Sequence, residues 1–158
     1  MTTIDQPPMR FPWPPVIIVS AAAIAIILGT SMPLPWLRGP FAEFLAGVGA
    51  LIVVGGATLA ILAVTRFRKV GTPVTPTHAA QRLVTDGPFA ISRNPIYLGG
   101  VTILIGLALV THNAWFILAA FSAGIAISLI AIRPEERHLD RRFGKAYRDY
   151  AKRVRRWF

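Results

Sequence analysis

FAEFLAGVGALIVVGGATLAILAV, residues 41–64, contains one charged side chain, Glu43 near its start, and is otherwise apolar or small. A helix needs about 20 mostly apolar residues to cross the hydrocarbon core of a bilayer, and this run supplies them without a break. It reads as a membrane span, and Gly47, Gly49, Gly55 and Gly56 would let its backbone come close to a neighbouring helix. Upstream, residues 16–32 form a second apolar run, fenced by Pro12, Pro14 and Pro15 before it and by Pro33 and Pro35 after it. Proline lacks the amide donor, so such clusters suit the ends of a helix rather than its interior. Downstream, residues 96–110 and 114–132 are two more candidates, separated only by Thr111-His112-Asn113, the mark of an antiparallel helical hairpin. The third candidate is short, and Gly99, Gly100 and Gly106 leave room for a kinked or partial crossing. The expected fold is therefore all-α, a polytopic membrane bundle of about four transmembrane helices with a C-terminal amphipathic helix.

The rest of the composition agrees. The 158 residues are 54% hydrophobic and only 15% charged, against about a quarter charged in an ordinary soluble domain. The length suits one membrane domain: residues 1–65 as two N-terminal spans, 66–95 as a connection, 96–132 as the hairpin and 133–158 as the tail. The N-terminal run is a poor signal peptide, being long, preceded only by Arg10 and followed by further spans. No cysteine is present, which excludes disulfides, thiolate metal sites and a cysteine nucleophile. His78, His112 and His138 have no paired ligand spacing, so no metal is expected.

The net charge is +10, and its placement points to a membrane surface rather than nucleic acid. With four spans, all of the 17 basic residues except Arg38 fall on one side. Basic residues in short loops mark the cytoplasmic face, so both termini are expected there, in a protein of bacterial inner-membrane type. The far-side linkers are short, whereas the cytoplasmic side has the long connection and the tail. Long connections carry function more often than short ones, so a reaction centre is expected where these two segments meet.

In the tail, Leu139, Phe143, Tyr147, Tyr150 and Val154 step by helical spacing along one face, and Arg137, Arg141, Lys145, Arg148 and Lys152 along another. A helix resting on anionic headgroups would account for both faces. The acidic pair Glu135-Glu136 stands where the fourth span leaves the bilayer. It suits a helix N-terminus, with Pro134 in the first turn, as well as it suits a site. In the connection, Asp86-Gly87-Pro88-Phe89 reads as a turn, and Asn94 before Pro95 as a non-helical step at the membrane border.

Two stretches together carry a resemblance. LVTDGPF (83–89) followed by SRNPIYLG (92–99), and later RPEERHL (133–139) followed by FGKAYRDY (143–150), resemble the paired signatures of the isoprenylcysteine carboxyl methyltransferase and phospholipid methyltransferase superfamily. They occur in the family's order with a helical hairpin between them. The resemblance implies a cytoplasm-facing pocket for S-adenosylmethionine and an enzyme that passes its methyl group to a lipid-like or small amphiphilic acceptor. Gly87, Pro88 and Phe89 would shape the pocket wall, and Arg93, Asn94, Tyr97, Leu98 and Gly99 would contact the cofactor. Glu135 and Glu136 would approach its positively charged end, Tyr147 and Tyr150 would close the pocket, and Glu136 would belong to the reaction centre. Arg133 would meet an anionic acceptor, since guanidinium forks pair with carboxylate or phosphate.

Many members have histidine where this chain has Asn94, and asparagine cannot take a proton near neutral pH; here it is expected to contact the cofactor. The eukaryotic relatives also have more spans, which argues against a prenylated protein as acceptor. Two other readings remain. A membrane reductase of the sterol-reductase type would share part of the architecture and use a nicotinamide cofactor. A non-enzymatic adaptor would use the basic tail on anionic lipid or on a partner and bind no cofactor.

Overall fold

The computed structural model describes residues 11–71 and 82–158; the middle of the connection, His78 included, lies outside them. Six α-helices account for most of the described chain: α1 (Trp13–Ser31), α2 (Pro40–Val70), α3 (Pro95–Val110), α4 (Trp115–Ile127), α5 (Arg133–Phe143) and α6 (Lys145–Arg153). A short 3-10 turn, Gly87–Ala90, precedes α3, and a π turn, Ser128–Ile132, joins α4 to α5. No strand occurs among the described residues.

Three continuous helices are long and apolar enough to cross a membrane: Trp13–Ser31, Pro40–Val70 and Trp115–Phe143. The fourth expected span, α3, has 16 residues, which at 1.5 Å per residue reaches about 24 Å, short of the roughly 30 Å hydrocarbon core. The exterior of the bundle is apolar: Val19, Ile27, Phe44, Leu51, Ile61, Phe121 and Ile125 are all exposed. A water-soluble monomer rarely presents so broad an apolar surface, whereas lipid solvates it. The chain is an integral membrane protein.

The helices pack in the order α2–α3–α4–α1, with α1 also touching α3. The contact of α2 with α3 is a glycine seam. A Cβ added at Gly56 would stand 2.8 Å from the Gly99 carbonyl oxygen, and one at Gly99 would stand 2.5 Å from that of Gly56. Seven residues earlier on α2 and seven later on α3, Gly49 and Gly106 repeat the arrangement, with 2.7 Å in both directions. The two backbones touch because neither helix has a side chain there. Gly47 and Gly55, which the sequence reading also placed at a close approach, have open space beside them. Between α1, α3 and α4 the core is built from Ala25, Leu104, Ala108, Phe116, Ala120 and Ala123. At the far end Asn113 ties the hairpin to α1, its Nδ2 donating to the Ala25 carbonyl at 2.9 Å and its Oδ1 accepting from the Trp115 amide.

The expected boundaries shift in two places. First, α2 runs on through Arg66, Arg68 and Lys69 to a left-handed cap at Gly71, instead of ending at Val64. Cations are favoured at a helix C-terminus, and at 31 residues the helix is long enough to carry them beyond the apolar layer. Second, the tail is not one amphipathic helix. Gly144 sits at φ 53, ψ −122, a conformation open essentially to glycine alone, and it breaks the tail into α5 and α6. Val154, expected on the same apolar face, lies outside α6 with an extended backbone.

Gly144 has open space around it, so its requirement is conformational rather than steric. Gly144→Ala is expected to lower stability by about 1–3 kcal/mol, visible as a lower melting temperature in detergent. An unchanged melting temperature would show that the break can be made without a left-handed residue.

Candidate functional site

At the basic end of the bundle, four segments meet: the step before α3, the start of α5, α6, and the residues that follow α6. The turn before α3 is held on both sides. Arg66 of α2 forms a two-bonded ion pair with Asp86, and the guanidinium holds that carboxylate below its ordinary pKa. Phe89 is buried with Ala63 and Val84, its ring 4.6 Å from that of Phe67. Its carbonyl accepts a 2.7 Å bond from the buried Tyr150 hydroxyl. From there Asn94 leads into α3, with Pro95 in the first turn, where its missing amide is no loss.

The approach of α5 depends on the π turn. Proline at position 134 has no amide to give back along the helix, and its ring crowds the preceding turn. The π turn at Ser128–Ile132 absorbs this without ending the helix, and its extra residue rotates the face that follows. Glu135 and Glu136 consequently point toward the step before α3.

The polar contacts are specific. The Tyr97 hydroxyl donates to Glu135 Oε1 at 2.6 Å. Arg93 reaches Glu136 Oε1 from NH2 at 3.2 Å and donates from NH1 to the Tyr147 hydroxyl at 3.1 Å. Arg156 grips the same Glu136 carboxylate with both prongs, Nε to Oε1 at 3.0 Å and NH2 to Oε2 at 2.7 Å. Such forked pairs are among the stronger hydrogen-bonded contacts in proteins. The Arg93 and Glu136 side chains are only 16% and 19% exposed, so bulk water screens this cluster weakly. Two guanidiniums on one carboxylate leave a net positive charge. Burial raises the pKa of Tyr147, reinforced by the Glu136 charge, and burial also raises that of Tyr150, so both remain protonated donors. The Nε of Arg93 is buried with no hydrogen-bond partner among the described residues, and an unmet buried donor is uncommon enough to require a reason.

Among the expected site residues, the structure thus brings together Arg93, Tyr97, Glu135, Glu136 and Tyr147, with Tyr150 fastening the adjoining turn. Others lie elsewhere. Gly99 faces Gly56 and Ala60 of α2 and serves helix packing. Phe89 is a core residue of the turn, and Gly87 supplies its positive φ of 59. Pro88 is the second residue of the 3-10 turn, and Leu98 is half-buried one turn into α3. Arg133 is exposed at the start of α5. Asn94, by contrast, lies beside the cluster: it is buried, and its Nδ2 donates to the Arg156 carbonyl at 3.0 Å.

The sequence reading missed Ser92 and Arg156. Ser92 is fully buried and accepts from the Asn94 amide at 3.1 Å. Arg156 had no distinguishing signal, being one of many basic residues in the tail. Among the described residues no group of three or more His, Asp or Glu side chains could hold a metal ion.

Residues 45–146, more than half of the chain, match the family described as phospholipid methyltransferase. The chain belongs to this family. The match takes in the glycine seam, the step before α3, the hairpin and the Glu135-Glu136 pair, and it places the protein among integral membrane methyltransferases. No curated protein matches the chain, and no solved structure does. As a phospholipid methyltransferase family member, the protein carries its convergent polar groups where the two sequence signatures meet, at the border between apolar bundle and basic end.

Proposed function

We propose that this protein binds S-adenosylmethionine at the Arg93–Glu136 cluster and passes its methyl group to a lipid-like or small amphiphilic acceptor that arrives from the bilayer. The observation carrying this reading is the junction itself: Tyr97 on Glu135 and Arg93 on Glu136 join the two signature segments, in a family of methyltransferases. The basic end then faces the cytoplasm, following the charge distribution, with both termini on that side.

The residues present fit the cofactor, although not as the sequence suggested. Glu136 is already matched by Arg93 and Arg156, so that corner is positive and suits a carboxylate. The buried, unpartnered Nε of Arg93 gives it a further donor. Among the described residues Glu135 accepts the Tyr97 hydroxyl alone, so it is the acidic group that a cationic part of the ligand would meet. The two glutamates therefore divide the work that the sequence reading had given to both.

The cofactor supplies an electrophilic methyl group on a sulfonium. For such an in-line displacement the protein's task is alignment and exclusion of water. Tyr147 and Tyr150, both buried, shield the side toward α6, and Tyr97 holds Glu135 at the membrane border. A dedicated base is required only by acceptors that must lose a proton first.

Calorimetric titration of the protein in detergent with S-adenosylhomocysteine tests the reading, with a reduced nicotinamide dinucleotide run in parallel. Micromolar-range binding of the first and none of the second is the expected result. Binding of the nicotinamide alone would move the protein to the reductase class, and binding of neither by a folded sample would leave a non-enzymatic adaptor.

A further inference from the structure

The family match ends at residue 146, yet much of the framework around the site comes from beyond it. After α6 ends at Arg153, Val154 leaves the helix at φ −118, ψ 129, and the chain returns to the step before α3. There the Arg93 amide donates to the Arg155 carbonyl at 3.0 Å. The Arg156 carbonyl accepts from both Ser92 Oγ at 3.2 Å and Asn94 Nδ2 at 3.0 Å, while its guanidinium grips Glu136. Trp157 packs on Ile127, Ala131 and Ile132, in the apolar cluster that also receives Tyr97.

One residue thus sets three others that belong to the two signatures. Both acceptor positions of the Arg156 carbonyl are used, which fixes the Ser92 and Asn94 side chains. Its side chain removes the freedom of the Glu136 carboxylate, which Arg93 alone would hold by a single 3.2 Å contact. If Glu136 turned, Arg93 would follow it and leave the Tyr147 hydroxyl.

We propose that residues 154–158 form a closing wall of the cofactor site and that Arg156 is its positioning residue, acting through Glu136, Ser92 and Asn94. This rests on the reading that an S-adenosyl compound binds at the Arg93–Glu136 cluster. The wall explains why Asn94 stands where a titrating side chain is unnecessary: its function here is to donate an amide hydrogen to a carbonyl.

The test compares wild type, Arg156→Gln and Arg156→Lys by S-adenosylhomocysteine calorimetry, with melting temperatures in parallel. Tryptic cleavage after Arg153 and Arg155 is followed with and without the same ligand. Arg156→Gln is expected to weaken binding by about 10- to 100-fold, since a charged two-pronged contact is lost. Both variants keep the main-chain carbonyl, and Arg156→Lys, which also keeps one ion pair, is expected to fall between. The ligand should slow cleavage after Arg155 in wild type and have less effect in Arg156→Gln. Equal affinity in Arg156→Gln and wild type would overturn the positioning role and leave the cofactor reading standing. So would a wild type that binds the ligand but is cleaved equally fast with and without it, a result that needs no folded variant. A wild type that binds no S-adenosylhomocysteine would remove the cofactor reading and this proposal together.

Discussion

Glu136→Ala is expected to weaken S-adenosylhomocysteine binding by about 30- to 100-fold, or about 2–3 kcal/mol, the largest loss from any single side chain at the site. Glu136 is the anion between two guanidiniums, bonded by Arg156 at 2.7 and 3.0 Å and by Arg93 at 3.2 Å. Removing it leaves two cations facing each other across the gap. Breaking a fully buried pair costs more, about 3–5 kcal/mol, but Arg156 is 37% exposed and water screens part of the repulsion. The melting temperature should fall as well, because the same carboxylate joins α5 to the step before α3 and to the chain end. Glu136→Gln, which keeps the shape and one acceptor, should lose less on both counts. Calorimetry and thermal unfolding of the two variants check this, and an unchanged affinity in Glu136→Ala would remove the cluster from the site.

Why this carboxylate was visible in the sequence and its partner was not has a physical explanation. Glu135 and Glu136 stand out because acidic residues are few, with seven in the chain, and because they follow an apolar run directly. Arg156 stands in a tail crowded with cations, where each arginine looks like any other until the chain reversal after α6 selects one. The break at Gly144 before α6 is equally silent, because side-chain periodicity does not register a backbone angle: Leu139, Phe143, Tyr147, Tyr150 and Val154 keep helical spacing across a point where the helix stops. The spans were legible for the opposite reason. Bilayer crossing is a matter of length and mean hydropathy, which the apolar run at 41–64 declares without any knowledge of its neighbours. Its upper limit was less legible, since Arg66 to Lys69 end the apolar pattern but not the helix. Gly99 shows a further limit. It lies within a signature shared by a family of enzymes, and a family signature mixes residues that touch ligand with residues that place the helix bearing them.

Gly99→Val is accordingly expected to damage the site without touching it. In the present packing its Cβ would lie 2.5 Å from the Gly56 carbonyl oxygen and 3.0 Å from the Ala60 Cβ. The obstacle is backbone, and the intruding atom is the Cβ itself, so no choice of rotamer relieves it; α2 and α3 must move apart. Overpacking of this kind costs about 1–3 kcal/mol in a well-packed core, and here it also opens the Gly49–Gly106 contact on the same seam. Since α3 begins at Pro95 and carries Tyr97 in its first turn, any shift of α3 alters the Tyr97–Glu135 bond, and ligand affinity should fall with stability. Gly55→Val is the control: it lies on the same helix as Gly56 with nothing within 4 Å of its Cβ, and its effect should be small. Thermal unfolding and S-adenosylhomocysteine calorimetry of both variants separate the cases. Equal behaviour of Gly99→Val and Gly55→Val would mean that α2 and α3 do not touch through their backbones. A stable Gly99→Val with weakened binding would return Gly99 to the cofactor contacts that its sequence neighbourhood implied.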